Sequence, residues 1–82
     1  MDKKEMGDKI MLLFKEHNYK VGGVLLPQII LKFYQDLSPP EKELFEPAVH
    51  DIESRNFITI KSVIGSEQYR LTQAGYDYIY NA

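Results

Sequence analysis

The sequence predicts an α+β fold in which a helix, a short strand and two or three further helices precede a β-hairpin and a final short helix. Two observations predict it: apolar residues recur at helical spacing through position 55, and two β-branched or aromatic segments then flank a glycine. At 82 residues, 44% of them hydrophobic, the chain is long enough for one core and too short for two. We therefore expect a single domain over 1–82, with three to five helices and a small antiparallel β-hairpin.

The first half of the chain contains two amphipathic segments. Apolar residues at helical spacing predict a first helix within 2–17, and Asn18 is a residue type that commonly ends helices. Gly22 and the glycine after it predict a turn that leads into a brief strand. Proline suits the first position of a helix, where its missing N–H is not needed, so we expect a second helix over 27–37.

A proline-rich segment predicts how the next helices begin and end. Ser38 supplies a hydroxyl N-cap and Glu41 can close a capping box, so a helix begins at 39. Pro47 cannot donate an N–H to the carbonyl one turn earlier, which predicts a kink or a break there. We therefore expect a short helix over 39–45 and a separate helix over 47–55. The second helix is expected to turn three polar side chains toward solvent, those of His50, Asp51 and Ser54.

A β-hairpin and a capped helix complete the predicted order of elements. Asn56 is expected in the left-handed conformation that ends the preceding helix. The composition then predicts a strand, a loop and a partner strand in order over 57–61, 62–67 and 68–71. Thr72 is expected to cap a final helix that runs to Tyr80.

Two phrases in the second half of the chain stand at a separation that fits a β-hairpin. Ile52-Glu53-Ser54-Arg55-Asn56-Phe57-Ile58 joins a helix to a strand, and Tyr69-Arg70-Leu71-Thr72-Gln73-Ala74-Gly75 leads from a strand into a helix. These phrases resemble those around the wing of winged-helix transcription regulators, particularly the PadR-like and MarR-like groups, although Asn56 replaces their usual glycine. The resemblance implies a winged helix-turn-helix fold and a small DNA-binding regulator of transcription.

The same resemblance makes helix 47–55 and the hairpin the candidate elements for contact with double-stranded DNA. The candidate DNA contacts are His50, Ser54, Arg55, Lys61, Ser62 and Arg70. An ordinary structural role is open for each of them: Arg55, for instance, stands one turn after Asp51 and could pair with it. Since cations supply most of the nonspecific affinity for DNA, one such domain should bind weakly, and useful affinity would need a dimer or a larger assembly.

The charge pattern leaves a second function open. Residues 36–53 carry six acids against Lys42 alone and sum to −5, whereas the remainder of the chain sums to +3. DNA-binding members of the resembled families normally place neutral or basic side chains on the recognition helix. The alternative is therefore a winged-helix protein–protein interaction module, whose acidic helix face meets a basic protein partner and which binds no DNA.

Tyrosines concentrate near the C-terminus, where Tyr76 and Tyr80 stand one helical turn apart. The first interpretation is that their rings close over the first helix and complete the core. The second is a partner interface, such as that of a homodimer, because tyrosine is enriched in such surfaces.

No pattern in the sequence indicates catalysis, a cofactor or a metal. His17 and His50 have no patterned neighbours, and His17 is expected either as a partly buried packing residue or as a cation at a helix end. The absence of cysteine excludes disulfides and thiolate metal sites. The longest apolar runs are far below the ~20 residues that a membrane helix needs. We therefore expect a cytoplasmic protein that is not an enzyme, uses no cofactor and spans no membrane.

Overall fold

The first helix of the computed structural model, which describes residues 2–81, is α1 at Lys3–Glu16. The Asp2 carboxylate caps its start by accepting the Glu5 N–H at 2.9 Å, and Asn18, with a φ of 57°, follows its end. The predicted helix is therefore confirmed. His17 is exposed at the C-cap, so its predicted packing role is wrong and its position at a helix end is confirmed.

Helix α2 spans Pro27–Gln35 and begins at the predicted proline. Before it, Val24 forms an isolated antiparallel bridge with Arg70, which is the brief strand predicted after the glycine turn. Among the helices of residues 2–81, α2 alone contains no buried residue. Some of its apolar side chains, such as Ile30 and Phe33, pack against the core and are only partly buried. Others, such as Leu31, are exposed to solvent.

Helix α3 runs without interruption over Pro39–Ser54, so the predicted break at Pro47 is wrong. It begins as predicted, since the Glu41 carboxylate accepts the Ser38 N–H at 2.8 Å, and this bond lowers the pKa of Glu41 below its ordinary value. Proline removes the donor for the Glu43 carbonyl. Because Pro47 and Glu43 are both exposed, water can bond that carbonyl, and the helix can continue through the proline.

Strands β1, at Ile58–Val63, and β2, at Ser66–Leu71, form an antiparallel hairpin. Their pairing continues up to a two-residue turn at Ile64 and Gly65. Gly65 has a φ of 84°, a conformation that glycine adopts without strain. The predicted loop over 62–67 is therefore too long, because the tight turn lets the pairing continue for two more residues on each strand.

The core lies between α1, α3, the inner face of the hairpin and the last helix, α4, at Gln73–Tyr80. The contact between α1 and α3 is the most extensive contact between helices in the described chain. The side chains that are almost completely buried include Met6, Ile10, Phe14, Leu25, Ile52, Ile58 and Leu71. Within residues 2–81, four helices and one hairpin make this an α+β fold, as predicted.

Two junctions hold the hairpin between α3 and α4. Asn56 follows α3 with a φ of 66°, which confirms the predicted left-handed cap. Thr72 caps α4 as predicted, since its Oγ1 accepts the Gly75 N–H at 3.0 Å, and its hydroxyl donates to the Asn56 carbonyl at 2.6 Å. The Thr72 N–H in turn donates to the Phe57 carbonyl at 3.1 Å. These bonds tie the start of the hairpin to the start of α4.

Candidate nucleic-acid interface

The outer face of the hairpin, defined by Thr59, Lys61, Gln68 and Arg70, brings two of the predicted cations together. Side chains alternate between the two faces along a strand, and paired residues share a face. Thr59 pairs with Arg70 and Lys61 pairs with Gln68, so the two cations are diagonal neighbours on the face away from the core. Both cations are exposed, and no acid stands at these four positions.

Arg70 is held by contacts with the segment before α2. Its backbone forms the bridge with Val24, and its guanidinium donates to the Gly22 carbonyl at 3.3 Å. A guanidinium carries five N–H donors, so the remaining donors can reach a ligand. Lys20, two residues before Gly22, is exposed and adds a third cation in the neighbouring loop.

The exposed stripe of α3 is acidic and consists of Glu43, Glu46, His50, Glu53 and Ser54. These residues recur at the spacing that places side chains on one side of a helix. His50 Nδ1 lies 3.9 Å from Glu53 Oε1, and the Ser54 hydroxyl donates to a carbonyl of its own helix at 2.7 Å. His50 and Ser54 are therefore exposed as predicted, but three carboxylates surround them. Those carboxylates would repel a phosphate backbone.

Arg55 lies apart from the acidic stripe. Its Nε is 3.1 Å from Asp51 Oδ2, and Lys3 Nζ is 3.9 Å from the other carboxylate oxygen of Asp51. The Asp51 side chain is only 16% exposed, so the prediction that it turns to solvent is wrong. This side of α3 faces the start of α1, where two cations neutralise the carboxylate. Because Arg55 is already paired, it is a weaker candidate for DNA contact than Lys61.

Ser62 lies on the opposite face of the hairpin from Lys61. It pairs with Glu67, and both residues are exposed. Because side chains alternate along β1, Ser62 shares its face with Ile60 and extends that face beyond the core. The structure therefore does not bring Ser62 together with Lys61 and Arg70.

Tyr76 and Tyr80 are half-buried and pack against the core. Their ring centroids are 4.5 Å apart, and the Tyr80 hydroxyl donates to the Tyr19 carbonyl, just after α1, at 3.1 Å. Tyr78, between them, donates to the Asp8 carboxylate on α1. These contacts favour the interpretation in which the tyrosines close over the first helix.

The sequence interpretation did not anticipate two apolar grooves beside α2. One, of about 510 Å³, lies between α1 and α2, and the other, of about 410 Å³, lies between α2, α3 and β2. Leu31 lines the second groove and is exposed, and Ile64 at the hairpin tip is fully exposed. The available signal was that both are large apolar residues outside the stripes expected to be buried.

Residues 2–81 contain neither a cluster of potential metal ligands nor a helix suited to crossing a membrane. Within residues 2–81, no group of three or more His, Asp or Glu side chains is placed to hold a metal ion. None of the helices in the same range is long and apolar enough to cross a membrane. Comparison with protein-family models, curated proteins and solved structures found no match to this chain. What the chain does must therefore be inferred from its surface chemistry.

Proposed function

We propose that this chain is a winged-helix domain that binds double-stranded DNA and acts as a small transcriptional regulator. The observation that carries the proposal is the outer face of the hairpin, where Lys61 and Arg70 are neighbours and no acid accompanies them. The order of elements agrees with such a domain, because α3 passes through the left-handed Asn56 directly into a hairpin that would serve as the wing.

In this proposal the wing, rather than α3, makes the main contact with DNA. Nonspecific affinity comes from cations that neutralise phosphates, and the wing and its neighbouring loop offer Lys61, Arg70 and Lys20. The acidic stripe of α3 offers His50 and Ser54 but opposes them with three carboxylates. We therefore expect weak binding whose logarithm falls with the logarithm of salt concentration at a slope of about −2 to −3, as two or three phosphate contacts require.

An NMR titration of the ¹⁵N-labelled protein with a short DNA duplex, at low and at moderate salt, tests this proposal. We expect the largest amide shifts at Lys61, Arg70 and their strand neighbours, with smaller shifts along α3. Lys61→Gln should weaken binding several-fold because it removes one phosphate contact. Lys9→Gln is the matched control, since it removes the same charge from an exposed position of α1. Equal weakening by both variants would contradict a specific role of the wing.

The second candidate function is a protein–protein interaction module, and the acidic stripe of α3 favours it. Glu43, Glu46 and Glu53 stand on one side of the helix and are exposed, so they could meet a basic segment of a partner. A short lysine-rich peptide is a suitable probe. If duplex DNA shifts no amides at millimolar concentration and the peptide shifts those of α3, the interaction module replaces the DNA-binding proposal.

A further inference from the structure

The groove between α2, α3 and β2, called here the α2 groove, is an apolar surface that the proposed DNA contact does not use. Its walls are formed by Ile30, Leu31, Tyr34, Phe45, Glu67 and Tyr69. Tyr34 packs edge-on against Phe45 with ring centroids 5.3 Å apart, so one wall is fixed by aromatic packing. Leu31 on the rim is 56% exposed. An open apolar groove of this kind is typical of an interaction site.

The hairpin tip, defined by Val63, Ile64 and Gly65, is the complementary feature. Val63 is exposed and Ile64 is fully exposed, so the hairpin ends in apolar side chains that have no cover in the described chain. The tight turn at Gly65 makes this tip narrow. A tip that served only to keep the hairpin soluble would carry polar residues instead.

The hairpin tip lies close to one end of the α2 groove. Glu67 lines the groove and follows Ile64 by three residues, which limits their Cα separation to about 10 Å. In a two-fold interface the same surface of both copies is used, so a surface with a protruding and a receiving feature can complement itself. The exposed hairpin tip and the neighbouring α2 groove are two such features.

The charges beside the tip and the groove also complement each other between copies. Glu67 is the only charged side chain that lines the α2 groove in the described chain. The pKa of Tyr69 in the groove wall is raised by burial, and the carboxylates of Glu67 and Glu46 act in the same direction. Lys61 is the charged residue on the outer face closest to the tip. Insertion of the tip would carry this cation toward the acids of the second copy.

We propose that the α2 groove of one copy receives the hairpin tip of a second copy, and that the reciprocal insertion forms a two-fold homodimer. Ile64 fills the groove beside Leu31 and Tyr34, and Lys61 pairs with Glu67 of the second copy. The apolar contacts bury surface that each copy otherwise leaves in water, and the ion pair fixes the orientation of the two copies.

Sedimentation equilibrium of the full chain without DNA tests the proposal across micromolar to millimolar concentrations. The wild type should approach twice the monomer mass of 9.6 kDa as its concentration rises. Ile64→Asp and Leu31→Asp should each raise the dimer dissociation constant at least about ten-fold, because each places a charge in the apolar contact. Leu12→Asp is the matched control: Leu12 is 45% exposed but lines neither groove, so this variant should dimerise like the wild type.

A charge exchange tests the geometry of the same dimer. Lys61→Glu and Glu67→Lys should each weaken dimerisation, and the double variant should restore it, because the pair is re-formed with reversed charges. A circular dichroism spectrum of each variant checks that the fold is retained, which the exposure of Lys61, Ile64 and Glu67 leads us to expect.

Four outcomes would overturn the proposal. These are a wild type that stays monomeric at millimolar concentration, a mass that keeps rising beyond the dimer, an effect of Leu12→Asp equal to that of Ile64→Asp, and a double charge variant no better than the single ones. Because Lys61 also lies on the proposed DNA-contact face, DNA and the second copy compete for this side chain, and the omission of DNA keeps the two tests separate. Failure of the dimer leaves the DNA-binding proposal untouched.

Discussion

Replacement of Gly75 by alanine should destabilise the protein, although alanine is the better helix former. Gly75 lies inside α4, where alanine would ordinarily gain about 1 kcal/mol of unfolding free energy. A Cβ at this position would overlap the Phe57 carbonyl oxygen and would stand only 2.9 Å from a Leu71 methyl group. The start of α4 must therefore move away from the junction between α3 and β1.

The cost of that movement can be worked from the bonds that it strains. The Phe57 carbonyl accepts the Thr72 N–H, and the Thr72 hydroxyl donates to the Asn56 carbonyl. Loss of two such bonds costs about 2 kcal/mol. Overpacking of a filled site costs about 1–3 kcal/mol more. After the gain in helix propensity is subtracted, Gly75→Ala should lower the unfolding free energy by about 2–4 kcal/mol.

Urea denaturation followed by circular dichroism measures this loss, and a neighbouring position supplies the control. Ala74→Gly, in the same turn of α4, should cost only about 1 kcal/mol, the ordinary penalty for glycine in a helix. The two exchanges are opposite in chemistry, yet both should destabilise. A Gly75→Ala variant as stable as the wild type would refute the close approach between α4 and the Phe57 carbonyl.

Three further predictions concern the end of α3, the proline within it and the hydrogen bond between α4 and α1. Asn56→Gly should leave the unfolding free energy nearly unchanged, whereas Asn56→Val should lower it by about 1–2 kcal/mol, because a β-branched residue is strained at a φ of 66°. Equal urea midpoints for the two variants would contradict this prediction. Pro47→Ala should raise the unfolding free energy by about 1–2 kcal/mol, because the carbonyl one turn earlier regains its N–H donor. Only part of this gain is lost to the greater entropy of the unfolded chain. A urea midpoint no higher than that of the wild type would count against this prediction. Partial burial raises the pKa of the Asp8 carboxyl, but the hydrogen bonds from Tyr78 and Lys4 outweigh burial and hold that pKa below its ordinary value. The ionised Asp8 therefore stabilises the folded state fully at a pH above its pKa in the unfolded chain. This stabilisation is lost as the pH falls through the pKa that Asp8 has in the folded protein. Tyr78→Phe should therefore lower the unfolding free energy by about 1 kcal/mol at pH 7, and the difference from the wild type should narrow near pH 3. Urea midpoints of both proteins at the two pH values measure this difference. A difference at pH 3 as large as that at pH 7 would contradict the hydrogen bond between Tyr78 and Asp8.

Local chemistry made the ends of most elements predictable from the sequence. The carboxylate of Glu41, the left-handed preference of Asn56 and the hydroxyl of Thr72 act on backbone groups within three residues or on the adjacent backbone turn. Their structural effects therefore depend little on the rest of the fold. The pairing of Arg55 with Asp51 is of the same kind, because one helical turn fixes their separation.

The features that sequence reasoning missed depend on contacts between distant segments. Pro47 is tolerated within α3 because the whole helix packs with that side toward water, which its own neighbours do not determine. Asp51 is mostly buried because this side of α3 packs toward the start of α1, which is far from it in the sequence. The apolar surface at Leu31 arises because α2 covers the core only in part, and no local pattern encodes how closely a helix packs.

The salt dependence of duplex DNA binding tests the central claim most directly. Fluorescence anisotropy of a labelled duplex, measured with the wild type and Lys61→Gln between about 50 and 200 mM salt, gives the slope of log affinity against log salt concentration for each protein. The account predicts a slope of about −2 to −3 for the wild type and a slope closer to zero by about one for the variant, because one phosphate contact is lost. Absence of binding at millimolar protein, or a slope that Lys61→Gln leaves unchanged, would contradict DNA contact through the wing.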